Sequence, residues 1–191
     1  VPEGAFLVLC GPSGCGKSMT LKCIAGIVAP DEGRIALNGR VLFDSAAGVN
    51  LRPQERRVGY LFQNFGLIEN QSIEENLKLG LIGQKLSRSE QRLRQKQALE
   101  QVGLAYLDLD KRIFELSGGE SQRVALAKVI LKNPPLILAD EPTASIDPAN
   151  SQLIMEILLS LRDDNRLIII ATHNPAIWEM ADEVITMDRL K

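Results

Sequence analysis

Histidine is almost absent from this chain of 191 residues, with His173 the sole example, so a histidine-based metal cluster is excluded. Cysteine is scarce too: Cys10, Cys15 and Cys23 are an odd set without a Cys-x-x-Cys pair. That usage fits reduced thiols better than a disulfide framework. Neither sign of charge dominates; a formal net charge of -2 leaves no basic footprint for nucleic acid. Uninterrupted apolar runs such as Leu167 to Ala171 fall far short of the ~20 residues that cross a bilayer, so any membrane role must come through a partner. The opening Val1-Pro2-Glu3-Gly4 has neither an initiator Met nor a signal-peptide pattern and reads as a cut into a longer chain. Internal repeats and low-complexity tracts are missing as well. What remains is ordinary globular composition, 45% hydrophobic and 24% charged, sufficient for one domain with a substantial core.

The order of patterns predicts an α/β fold. Phe6 to Cys10 is a short apolar run bounded by Gly11, which predicts a buried strand, and Lys17 to Ile27 then reads as a helix. Short alternating segments occupy Arg34 to Leu37, Arg40 to Phe43 and Val58 to Phe62; Asn38-Gly39 between the first two is a hairpin signal. Ser72 to Leu104 is helical in pattern, with a charged stretch from Arg88 to Glu100 that reads as a solvated face. Ser117 to Lys132 is a second helix. Strands at Leu136 to Ala139, Leu167 to Ala171 and Val184 to Met187 then alternate with helices at Pro148 to Arg162 and Pro175 to Ala181. Near-continuous apolar strands alternating with helices imply a parallel sheet covered on both faces.

Gly11-Pro12-Ser13-Gly14-Cys15-Gly16-Lys17-Ser18 fits the Walker A pattern GxxxxGK[ST], set between the expected strand and helix. Its glycines let backbone N–H groups curl around phosphate oxygens, and the helix that follows aims its positive end at them. Lys17 can reach the β- and γ-phosphates, and the Ser18 hydroxyl can sit on Mg2+, with Met19 next on the helix. Asp140-Glu141 follows a strand whose carboxyl end is where parallel sheets bind ligands. Asp140 is placed to hold Mg2+, directly or through water, and Glu141 is the candidate general base for the water that attacks the γ-phosphorus. Cys15, inside the loop, and Cys23 read as small packing residues.

Leu116-Ser117-Gly118-Gly119-Glu120 is the sharpest feature. Ser117 with Glu120 makes a capping box, which needs no function. Two glycines in the first turn weaken a helix. They make sense where something must approach that backbone closely, at a helix end that favours anions.

With these motifs in order, the chain resembles an ABC ATPase. Walker A at 11 to 18, the Leu-Ser-Gly-Gly-Glu signature at 116 to 120 and Walker B at 136 to 141 follow that family's sequence, as do Gln63, Ala144-Ser145-Ile146-Asp147 and Thr172-His173. The resemblance spans essentially the whole chain. It implies a P-loop NTPase (RecA-like) core with a parallel sheet, a small antiparallel β subdomain and an inserted helical subdomain. The core would occupy about 1–64 and 134–191 and the helical part about 65–133. Two copies, or the chain and a homologous subunit, would pair head to tail around two ATP molecules, with Walker A of one facing Ser117 to Glu120 of the other. Gln63 would contact Mg2+ and the attacking water, and its loop, with the helical subdomain, would sense transmembrane permease subunits. His173 would hold the γ-phosphate, and Asp147 would link the two sites. The implied role is to power a transporter from the cytoplasmic, inner face of the cell membrane.

Simpler readings stand beside these: Asp147-Pro148 is also a helix N-cap with Pro at N1, His173 a loop histidine and Gln63 a polar strand end. The resemblance further implies an aromatic residue well before Walker A to stack on adenine; only ten residues precede Gly11, so the adenine contact is left unassigned. Ile146 and Asn174 depart from the family's commoner Leu and Asp. Residues 1 to 65, with Pro53-Gln54-Glu55-Arg56-Arg57-Val58-Gly59-Tyr60, resemble importers of molybdate-like oxyanions. From Gly66 onward, Leu67 to Leu77 and Ala139 to Thr143 resemble bacteriocin- or peptide-export ATPases, and the chain's end near Lys191 tilts the expectation mildly toward export. From a different class, a soluble ABC-type ATPase that remodels nucleic-acid or protein complexes is the alternative. The compact region between the Walker motifs, without a long coiled coil, speaks against its DNA-repair forms.

Overall fold

The computed structural model describes residues 4–144 and 146–188. Val1 to Glu3, Ser145 of the motif before Asp147, and Arg189 to Lys191 lie outside the described residues. The elements begin with β1 (Phe6–Cys10), α1 (Lys17–Ala25), β2 (Arg34–Leu37), β3 (Arg40–Asp44), β4 (Val49–Asn50) and β5 (Val58–Leu61). They continue with α2 (Ile73–Lys78), α3 (Arg88–Gln101), α4 (Gly118–Lys132), β6 (Leu136–Asp140), α5 (Pro148–Ser160), β7 (Leu167–Ala171), α6 (Pro175–Trp178) and β8 (Glu183–Thr186). The chain divides into two compact units: Val1–Tyr60 with Pro135–Asp140 and Asp164–Lys191, and Leu61–Pro134 with Glu141–Asp163.

The first unit holds a five-stranded sheet in the order β5-β6-β7-β1-β8. β1 pairs in parallel with β7 and with β8, and β6 with β7, which sets Leu9 beside Ala171 and Asp140 beside Ala171. Every residue of β1 and β6 is buried, as expected of strands covered on both faces. Leu7, Leu9, Leu21, Val58, Leu138 and Ile169 form its core. A separate antiparallel sheet, β2-β3-β4, carries the hairpin expected at Asn38-Gly39: both residues turn left-handed, at φ 48 and 77.

The helix expected to reach Ile27 ends at Ala25. Gly26, at φ 77, turns the chain left-handed, and its N–H and that of Ile27 take the last carbonyls. Arg56, fully buried, completes the cap. Its Nη1 donates to the Cys23 and Ile24 carbonyls at 2.7 and 2.9 Å, its Nε to Leu51 O at 2.8 Å and its Nη2 to Asn50 Oδ1 at 2.9 Å.

In the second unit, α4 packs with α2, α3 and α5. The helical pattern expected over Ser72 to Leu104 is two helices joined by a 3-10 turn at Leu79–Leu81 and a loop. Ser72 with Glu75 and Ser87 with Glu90 each make a complete capping box, so each helix has its own start. A buried carboxylate, Glu74, holds Lys78 at 3.0 Å and also pairs with Arg92. No helix among the described residues is long and apolar enough to cross a membrane.

Candidate functional site

In the first unit, β1 delivers the chain into residues 11 to 16, and α1 leaves it at Lys17. Gly11, Gly14 and Gly16 sit at φ 147, 83 and 99, which side chains rarely tolerate. At Gly11 space is also closed: a Cβ would stand 2.3 Å from the carbonyl oxygen of Met187 and 2.9 Å from Cys15 Sγ. Met187 is fixed there because its N–H donates to Cys10 O at 2.7 Å, continuing the β1–β8 ladder. The N-cap of α1 is Gly16, with no side-chain oxygen to satisfy the first turn, so the helix start keeps N–H groups and a positive end that could take an anion.

Lys17 is buried, and its ammonium donates to Gly11 O at 2.7 Å and Pro12 O at 3.1 Å, with Cys15 Sγ at 3.9 Å. Pro12, Ser13, Gly14 and Met19 are exposed, whereas Cys15 is buried. Ser18 Oγ donates to Asp140 Oδ1 at 2.7 Å, so the end of β6 and the start of α1 meet. The other carboxylate oxygen, Oδ2, accepts from the Tyr60 hydroxyl at 3.2 Å. Burial first, then the charge and hydrogen bond of Asp140, push the Tyr60 phenol up, which keeps it a donor. A hydroxyl and a buried carboxylate are hard oxygen donors that suit Mg2+, which takes one or two protein ligands and keeps waters and phosphates for the rest. Among the described residues no cluster of three His, Cys, Asp or Glu offers a fuller cage for a metal ion. His173 is exposed beyond the end of β7, and Asn174 caps α6 by accepting from Ala176 N at 3.1 Å.

The second unit carries the remaining candidates. Gln63 is exposed in a tight turn in which Phe65 N donates to Phe62 O at 3.0 Å and Gly66 N to Asn64 O at 2.8 Å. Lys128 of α4 reaches that turn, donating to Gly66 O at 2.6 Å; burial, then the neighbouring Lys132, hold its amine below the ordinary lysine range. Glu141 is half-buried with a left-handed backbone, φ 47. The next residue is pinned, since buried Gln122 of α4 donates its amide to Pro142 O at 2.8 Å.

Ser117 caps α4 as the sequence implies. Its Oγ accepts from Glu120 N at 3.2 Å, and Glu120 Oε2 accepts from Ser117 N at 2.8 Å. The other Glu120 oxygen accepts the Tyr106 hydroxyl at 2.8 Å, so this carboxylate is spent inside the chain. Asp147 caps α5: Oδ1 accepts from Asn150 N at 3.0 Å and Oδ2 from Asn150 Nδ2 at 2.7 Å, and these bonds hold the Asp147 carboxyl below the usual range.

The structure thus brings Lys17, Ser18 and Asp140 to one place in the first unit, which also holds His173. Gln63, Glu141, Ser117 to Glu120 and Asp147 belong to the second. Sequence reasoning missed Tyr60, Gln122, Lys128, Asn150 and the Met187 carbonyl. Asn150 alone carried a local signal, three residues beyond the cap Asp147. The others depend on pairings distant in sequence.

A family model described as ABC transporter matches residues 1–144. An uncharacterized ABC transporter ATP-binding protein of Mycobacterium tuberculosis is 38% identical over 98% of the chain and 56% of its own length. The molybdate/tungstate import ATP-binding protein WtpC of Methanocaldococcus jannaschii is 44% identical over 74% of the chain and 46% of its own length. The molybdenum import ATP-binding protein ModC of Paramagnetospirillum magneticum is 39% identical, covering 94% and 49%. The chain spans about half the length of these curated relatives. Among solved structures, an ATP-binding cassette in a dimeric post-hydrolysis state bound to ADP and Pi superposes with TM-score 0.86 at 30% identity, over 100% of the chain and 85% of that one.

Proposed function

Because the chain belongs to the ABC transporter family, we propose that it binds and hydrolyses ATP to power substrate movement by a membrane transporter. The observation that carries this reading is the convergence of Lys17, Ser18 and Asp140 at the uncapped start of α1. The backbone N–H groups of Gly11 and of residues 13 to 19 and the positive end of α1 would take the phosphates, with Pro12, which has no N–H, shaping the loop between them. Lys17 would exchange the carbonyls of its own loop for β- and γ-phosphate oxygens. Ser18 and Asp140, with Gln63, would hold Mg2+, and the bound ion would spread the charge that develops on the transferring phosphoryl group. Glu141 would orient the attacking water and take its proton, and His173 would steady the γ-phosphate.

Two copies would work head to tail, Ser117 to Gly119 and Asp147 of one completing the site of the other. Likeness to a cassette solved as a dimer with ADP and Pi supports that arrangement. The ATP-binding core would be about 1–64 and 134–191 and the helical subdomain about 65–133. Permease subunits would dock at the Gln63 loop and the helical subdomain, at the inner face of the membrane. The export-like features from Gly66 onward rest on sequence resemblance, whereas two of the three named relatives are import ATPases, and we favour import of a molybdate-type oxyanion.

The test is Glu141→Gln. Hydrolysis should collapse by about a thousandfold while ATP with Mg2+ drives a stable dimer. Turnover at the parent rate, or a chain that stays monomeric at saturating ATP, overturns the reading.

A further inference from the structure

We propose that Asn150 is a positioning residue that seats the first turn of α4 against Asp147, and that position 119 is glycine to admit it. The proposal rests on the reading of this chain as an ATP-driven dimer, and it separates the two glycines of the signature by purpose.

All the groups involved lie in the second unit. Asn150 is the third residue of α5 and is held twice by the cap residue: its backbone N–H donates to Asp147 Oδ1 and its side-chain Nδ2 to Oδ2. So fixed, the amide lies across the first turn of α4. A Cβ built on Gly119 would stand 2.7 Å from Asn150 Cγ, 2.8 Å from Oδ1 and 2.9 Å from Nδ2. Contacts that short with all three atoms leave no room for a methyl unless the Asn150 amide gives up its bond to Asp147 Oδ2 and swings aside. The nearest atom to a Cβ on Gly118 is Phe65 Cζ at 4.0 Å, an ordinary spacing. Gly119 is therefore explained inside the chain, and Gly118 alone is left for close approach from outside. The amide also makes one body of the signature turn and the Asp147 turn. Each is a helix N-terminus that the proposed dimer turns toward nucleotide or partner.

The first arm of the test is a double-mutant cycle on the nucleotide-free chain, read by thermal unfolding. Gly119→Ala should lower the melting temperature by about 5 °C, and in the Asn150→Ala background it should lower it no further. The second arm uses Glu141→Gln as parent. Asn150→Ala should weaken ATP-driven dimerisation about tenfold while ATP affinity at monomer concentrations stays within about twofold. Gly118→Ala should weaken dimerisation while leaving the melting temperature in place. Additive losses in the cycle, or a dimer indifferent to Asn150→Ala, overturn the positioning role alone. A Glu141→Gln parent that never dimerises overturns the proposed function and the positioning role with it.

Discussion

The Tyr60 hydroxyl donates to Asp140 Oδ2 at 3.2 Å while Ser18 holds Oδ1 at 2.7 Å, so the Walker B carboxylate is gripped at both oxygens. In the proposed Mg2+ site Ser18 is the partner that would turn to the ion, and Tyr60 could stay. Tyr60→Phe should therefore raise the Mg2+ concentration that half-saturates ATP hydrolysis by a few-fold and lower stability by about 1–2 kcal/mol. A Mg2+ titration alongside urea unfolding checks both. An unshifted titration would mean that Ser18 alone orients Asp140.

Glu141 adopts φ 47, a region that costs a side-chain-bearing residue about 1–2 kcal/mol and glycine almost nothing. Glu141→Gly should be more stable than Glu141→Ala by about 1 kcal/mol, although both remove the candidate base. Equal unfolding midpoints for the two variants would show that the strain is relieved elsewhere.

The buried Arg56 guanidinium, its pKa lowered by burial, anchors the far end of the helix that starts at Lys17. Arg56→Met should cost about 3 kcal/mol, because the Leu51, Cys23 and Ile24 carbonyls each lose a donor. Gly26→Ala should fail comparably, since its Cβ would lie 2.5 Å from Arg56 Nε. Combining the two should cost less than the sum, a coupling that urea unfolding reads directly.

Acid should loosen the second unit through its capping boxes. The Ser72 backbone N–H, then its side chain, hold the Glu75 carboxyl below the usual range; the Ser87 hydroxyl does so for Glu90 and the Ser117 backbone N–H for Glu120. Carboxylates depressed in this way stabilise the fold above about pH 4.3, and the contribution fades as pH falls through their lower folded values. Glutamine keeps a capping box without a titrating proton. The triple variant Glu75→Gln, Glu90→Gln, Glu120→Gln should thus show a flatter loss of urea midpoint between about pH 5 and 3 than the parent. An identical acid limb would place the sensitivity elsewhere, with Glu74 the next candidate.

Much of the architecture was legible because its signals are local. Asn38-Gly39 announces a two-residue hairpin, Ser117 with Glu120 a helix start, and the run from Gly11 to Ser18 a strand-to-helix loop. The failures were local conflicts decided by neighbours. A helix pattern from Lys17 to Ile27 stops at Ala25 because Gly26 turns left-handed, and Arg56, distant in sequence, completes the cap on the last carbonyls. β4, two residues long, has too little pattern to be seen and exists through its pairing with β3. Tyr60 beside Asp140 requires the order β5-β6, which no spacing in the chain encodes. Gly119 is the instructive case. A glycine in a helix's first turn signals close approach, but the group that fills its space sits on another helix.

The wall of the phosphate loop is the carbonyl of Met187, pressed where a side chain on Gly11 would be. The ribosome makes Gly11 before Met187, so a growing chain carries its loop unwalled until β8 has emerged and paired with β1. The proposed grip on a triphosphate would be complete only from that point. Nested nascent chains probed for photo-crosslinking of an azido-ATP analogue should show labelling only once Met187 is clear of the tunnel. Labelling of shorter chains would show that the loop can shape itself.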